Sequence, residues 1–131
     1  MANLISERTA VLGVFATLTF IVLFHATIML GIIPFDMVWG GRMNTRAEML
    51  RFEAISIAAN LVMLAIVAVK GGFLRVNLNP TVLKVVFWLM CGLFLLNTLG
   101  NLLSTNPLEK LLFTPLTLIL SVLCFRLAIS R

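Results

Sequence analysis

The sequence has no tyrosine, one histidine, two cysteines and only five acidic residues. Each shortage excludes something. A single histidine with scattered carboxylates cannot assemble a zinc or di-iron site, and it leaves no imidazole pair to hold a haem within one chain. Cys91 and Cys124 stand alone inside apolar runs, with neither C-x-x-C nor metal-ligand spacing. They read as small core residues and say little about redox compartment. The sequence also lacks a G-x-S-x-G nucleophile motif, a Walker phosphate loop and a C-x-x-C-H haem attachment site. No cofactor and no metal are therefore expected.

Charge is scarce as well. Charged residues make up 11% of the chain, against about 25% in an average soluble domain. Hydrophobic residues make up 61%, too many for a soluble fold of this size to cover with polar surface. Four apolar runs approach the roughly 20 residues that a helix needs to cross a bilayer. The expected fold is all-α: an integral membrane four-helix bundle, up-down-up-down, with both termini on the same side. Residues 1–131 form one four-span transmembrane domain, with spans at roughly 7–32, 46–70, 80–103 and 107–129. The first run is longer than a signal-peptide core and no A-x-A site follows it, so it is expected to be a retained span.

The span ends carry local signals. Ser6 is placed to cap the first helix; Gly31 and Pro34 mark its end. Thr45-Arg46-Ala47-Glu48 is a T-x-x-E capping box that starts the second helix, and Gly71-Gly72 stops it. Asn79-Pro80 and Asn106-Pro107 each pair a capping side chain with proline at the first helical position, and Glu109 adds a carboxylate to the opening turn of the last helix. Pro115 lies inside that helix and predicts a kink near Leu111–Pro115.

The net charge of +5 comes from lysines and arginines placed singly at the ends of apolar runs. That placement fits orientation and contact with the lipid bilayer, and nucleic acid is not an expected partner. Six of the ten basic residues (Arg8, Lys70, Arg75, Lys84, Arg126, Arg131) fall on the side of the termini, and Arg42, Arg46, Arg51 and Lys110 on the other. The positive-inside rule then puts both termini in the cytoplasm, the setting of a multi-pass protein of a bacterial inner membrane.

The polar side chains inside the spans gather at one depth. His25, Glu53, Ser56, Asn60, Asn97, Asn101, Thr114 and Thr117 all fall in the half away from the termini. The opposite half is nearly bare; Arg126 is a boundary residue that can snorkel. Glu53, Ser56 and Asn60 follow three-and-four spacing and share a helix face. Polar groups inside a bilayer usually face protein or water. The expectation is an outward-facing polar pocket lined by His25, Arg42, Glu53, Asn60, Asn97 and Asn101. Arg42 or Arg51 is placed to pair with Glu53, and Asp36 with Arg42 across Gly40-Gly41, beside Trp39 at the membrane boundary.

The sequence does not name a reaction. The leading reading is a small membrane protein that binds a polar ligand, a lipid headgroup or a partner protein without catalysis. An oligomeric small transporter or channel is the alternative, because a pathway needs polar groups in both halves or at a subunit junction. The third is a membrane-embedded enzyme acting on an anionic or lipid substrate with His25 as the base, histidine being the side chain that ordinarily titrates near neutrality. A homo-oligomer or a larger membrane complex is compatible with each.

Overall fold

A computed structural model of the chain describes residues 4–34, 44–104 and 106–130, with Glu109 described by its backbone alone. Four helices follow one another: α1 (Glu7–Met29), α2 (Arg46–Lys70), α3 (Pro80–Leu102) and α4 (Thr114–Ala128), the last entered through a π-helical turn over Glu109–Phe113. Each is long and apolar enough to cross a membrane, α4 together with part of its π turn. The fold is all-α, an up-down-up-down bundle with both termini at one end.

The helix ends are where local chemistry puts them. The Ser6 hydroxyl accepts from the Thr9 N–H at 3.0 Å. The Asn79 amide oxygen accepts from Thr81 at 2.8 Å and that of Asn106 from Leu108 at 2.9 Å. Thr45 accepts from the Glu48 N–H at 3.1 Å. The return bond of that capping box goes one residue further back than usual, from the Asn44 N–H to Glu48 Oε2 at 3.1 Å. The stops of α1 and α2 are both Schellman turns. Gly31 and Gly72 have φ of 80° and 81°, where a Cβ would meet the neighbouring carbonyl. The next N–H reaches back to close each turn, Ile32 to Thr27 at 2.9 Å and Phe73 to Ala68 at 2.8 Å.

Helix α1 stops at Met29 rather than near Ile32, because the positive φ at Gly31 ends it before Pro34 has any effect. Where the kink is expected, near Leu111–Pro115, the chain forms a π turn over Glu109–Phe113. Pro115 has no N–H to give the carbonyl four residues back, and its ring crowds that carbonyl; the wider turn relieves both. The side chain of Glu109 lies outside the described residues.

Across the bundle the order is α2, α1, α4, α3. Helix α1 packs on α2 and α4, and α3 packs on α4, while α2 and α3 make little direct contact. The core draws on all four helices. Val14, Leu18, Val67, Phe87, Leu120 and Cys124 are each 0% exposed. In lipid this core forms by close packing, since outward-facing leucines lose nothing by staying in hydrocarbon. Gly13 shows how tight the α1–α4 contact is: a Cβ there would lie 2.7 Å from Leu123 Cδ1.

Candidate functional site

Helix α1 rises from the termini end, so His25 falls in its last two turns; α2 descends from the far end, so Glu53 falls in its second turn. The two side chains meet across the α1–α2 contact, His25 Nδ1 against Glu53 Oε2. Glu53 is fully buried, and His25 keeps 17% side-chain exposure. Either group can be the donor in this contact: an Nδ1–H can donate to the carboxylate, or a carboxyl O–H to Nδ1. A small apolar cluster of Ile28, Met49, Phe24, Ile33 and Leu50 lies beside it. Phe24 stacks edge-on against Phe113 of the π turn with ring centroids 4.7 Å apart, tying the clasp end of α1 to the start of α4.

The remaining polar groups do not join this pair. Helices α3 and α4 carry a seam of their own. Thr98, buried on α3, lies 2.9 Å from the Thr117 hydroxyl of α4. Asn101 Nδ2 points at the same oxygen from 3.4 Å. Thr117 donates to the Phe113 carbonyl at 2.8 Å. One turn further along α4, the Ser121 hydroxyl donates to the Cys91 carbonyl across the same interface at 2.9 Å. Thr114 Oγ1 is buried near the top of this seam without a hydrogen-bond partner among the described residues.

The six expected pocket residues are therefore divided. His25 and Glu53 come together. Asn60 is buried on the same face of α2, but its amide donates to the Ser56 carbonyl of its own helix at 2.7 Å. Asn101 belongs to the α3–α4 seam. Asn97 is exposed on the outer surface of α3. Arg42 lies outside the described residues, as do Asp36, Trp39 and Gly40-Gly41, so their expected pairings do too; Arg51 is exposed. Two open cavities, of about 470 and 300 Å³, lie at the termini end and touch none of the six.

No known family, characterised protein or solved structure matches this chain. The site must be read from its own chemistry.

Sequence reasoning noted Thr117 among the polar residues of α4 but missed Thr98, its partner on α3. The inward stripe Phe87, Met90, Phe94, Thr98 repeats at three and four and was a usable signal for Thr98; the two asparagines drew attention to the neighbouring stripe instead. The termini end is also less bare than its sequence suggests. Arg126 does not snorkel outward. It is 8% exposed, and its Nε donates to the Ile5 carbonyl at 2.7 Å, fastening the chain's start to α4. Lys70 Nζ lies 3.4 Å from Glu7 Oε1 and joins α2 to α1 at the same level.

Proposed function

We propose that this chain is a small polytopic membrane protein that works by binding, and that the end bearing the His25–Glu53 clasp is where a polar ligand, a lipid headgroup or a partner protein is recognised. The observation that carries this reading is the burial of Glu53. A carboxyl at 0% exposure in a membrane span is costly to keep unless it serves a role, and such residues mark functional sites more often than not. Glu53 lies about two turns from the start of α2, the helix that in the sequence follows Asp36, Trp39 and Arg42. The division of polar groups into two seams favours binding over catalysis, because an acid, a base and an anion-positioning group would need to converge on one substrate.

An oligomeric transporter or channel is the second reading, and Asn97 favours it. Its amide faces outward on α3, whose span has the smallest buried share of the four, 22%. An asparagine among acyl chains gains by hydrogen bonding to another helix, and a second copy of α3 would offer one. Both readings place the termini in the cytoplasm of a bacterial inner membrane, supported by the charge bias of the loops.

The test uses the intact protein. A photo-crosslinking residue at Ala47, exposed one and a half turns above Glu53, is expected to give a discrete adduct in native membranes that is lost with Glu53→Gln. Purified protein in liposomes under an imposed pH gradient is expected to pass no more protons than empty vesicles. Proton flux that depends on Glu53 would replace the binding reading with transport.

A further inference from the structure

The larger cavity lies at the opposite end from the clasp and has chemistry of its own. It opens where α2 ends, α3 begins and α4 ends, in the space left because α2 and α3 hardly touch. Its volume of about 470 Å³ is within the ordinary range for small-molecule sites, about 300–1,000 Å³. The floor is apolar; its accessible part is Val69, Pro80 and Leu83, with the buried Phe87 and Leu127 also in the lining. The rim carries two ammonium groups, Lys70 and Lys84, with the hydroxyls of Thr81 and Ser130. Lys70 has three N–H donors and spends one on Glu7, which leaves two to aim elsewhere. Glu7 is the one carboxylate at this end among the described residues, against Arg8, Lys70, Arg75, Lys84 and Arg126.

We propose that this cavity is a binding site for an anionic phospholipid of the leaflet at the termini end, a site separate from the His25–Glu53 region. The phosphate sits between Lys70 and Lys84 and accepts from the Thr81 hydroxyl, and an acyl chain lies against Val69 and Leu83. The occupant must combine negative charge with a hydrocarbon tail, because the rim is cationic, the floor is apolar and the opening lies where the spans meet the headgroup layer. A free anion would leave the floor unfilled. A zwitterionic lipid brings its own cation to a rim that already has two. The neighbouring loop fits the same setting: Phe73, Leu74 and Val76 are 58%, 45% and 55% exposed, a pattern suited to the bilayer interface.

The test is lipid retention by the full-length protein, purified in a zwitterionic detergent and examined by native mass spectrometry with phosphatidylglycerol or phosphatidylcholine added. Phosphatidylglycerol is expected to be retained in preference, as one bound lipid per chain. Lys84→Gln removes one of the two ammonium groups and is expected to lower that retention about fivefold. Arg75→Gln, in the exposed loop and outside the cavity lining, is expected to leave it unchanged. Leu83→Trp, which fills the cavity without altering charge, is expected to lower it as well. Should that variant fold poorly, Lys84→Gln against Arg75→Gln still decides the matter. Equal retention of the two lipids, or equal loss with Arg75→Gln and Lys84→Gln, would overturn the proposal in favour of general surface charge. Displacement of the lipid by millimolar inorganic phosphate would overturn it in favour of a free-anion site.

Discussion

Replacing His25 by leucine is the sharpest test of the clasp. The variant leaves the Glu53 carboxyl fully buried without the imidazole it meets. Two scales bracket the cost. Breaking a buried ion pair in a soluble protein costs about 3–5 kcal/mol. Polar contacts between membrane helices average only ~0.6 kcal/mol and reach ~1.7, because the unfolded chain in the bilayer also finds partners. Complete burial pushes His25→Leu to the top of the membrane scale or just beyond, about 2 kcal/mol. Glu53→Gln keeps an oxygen that accepts from Nδ1–H and should cost about 1 kcal/mol. The double variant His25→Leu/Glu53→Leu replaces both partners with apolar groups and should fall within about 1 kcal/mol of the parent. The double change is thus expected to be less destabilising than His25→Leu alone. Reversible unfolding in bicelles, by titration with a denaturing detergent, of the parent, His25→Leu, Glu53→Leu and the double variant closes a double-mutant cycle, with Glu53→Gln measured beside it. If the two single costs simply add in the double variant, the histidine and the carboxyl are not energetically coupled, and the clasp has no basis.

Other expectations follow from the same geometry. Thr117→Val removes the hydroxyl that Thr98 and Asn101 share and should destabilise the bundle by about 1 kcal/mol, measured in the same unfolding assay. Asn97→Leu should leave monomer stability within about 0.5 kcal/mol of the parent while weakening any self-association, read from disulfide cross-linking of a Gly100→Cys protein. Gly72→Ala should cost about 1 kcal/mol by backbone strain alone, because a Cβ there meets nothing within 4 Å. Gly92→Ala, equally open but inside a helix, should be neutral to stabilising by up to about 1 kcal/mol. A cysteine placed at Val76 should react with an impermeant maleimide only after the cytoplasmic face is opened. Labelling in intact cells would reverse the proposed orientation.

The readable parts of this protein were those decided within a few residues of chain. A hydrophobic run of sufficient length has one outcome in a bilayer, because every backbone polar group must be satisfied inside the segment. The four spans therefore follow from composition. Ser6, Thr45, Asn79 and Asn106 each bond to an N–H within three residues, so the helix starts follow from local chemistry. The π turn before Pro115 comes from a missing N–H, which is also local.

Depth along the membrane was equally legible: His25 and Glu53 share a level because each lies a countable number of residues from its helix end. Azimuth was not. Successive residues on a helix are turned by about 100°, so a modest rotation of α3 decides whether Asn97 or Thr98 faces the protein. That rotation is set by how Phe87 and Phe94 pack into a core shared with Leu18, Val67 and Leu120, contacts that lie far apart in the chain. The helix order was likewise settled by packing: α4 settles between α1 and α3, where Gly13 admits Leu123. That order divides the polar groups into two seams and leaves the α2–α3 side open at the termini end. The residues and their depths are a property of the sequence. Which of them touch is a property of the fold, because helices in lipid choose their faces by fit between side chains that no local pattern encodes.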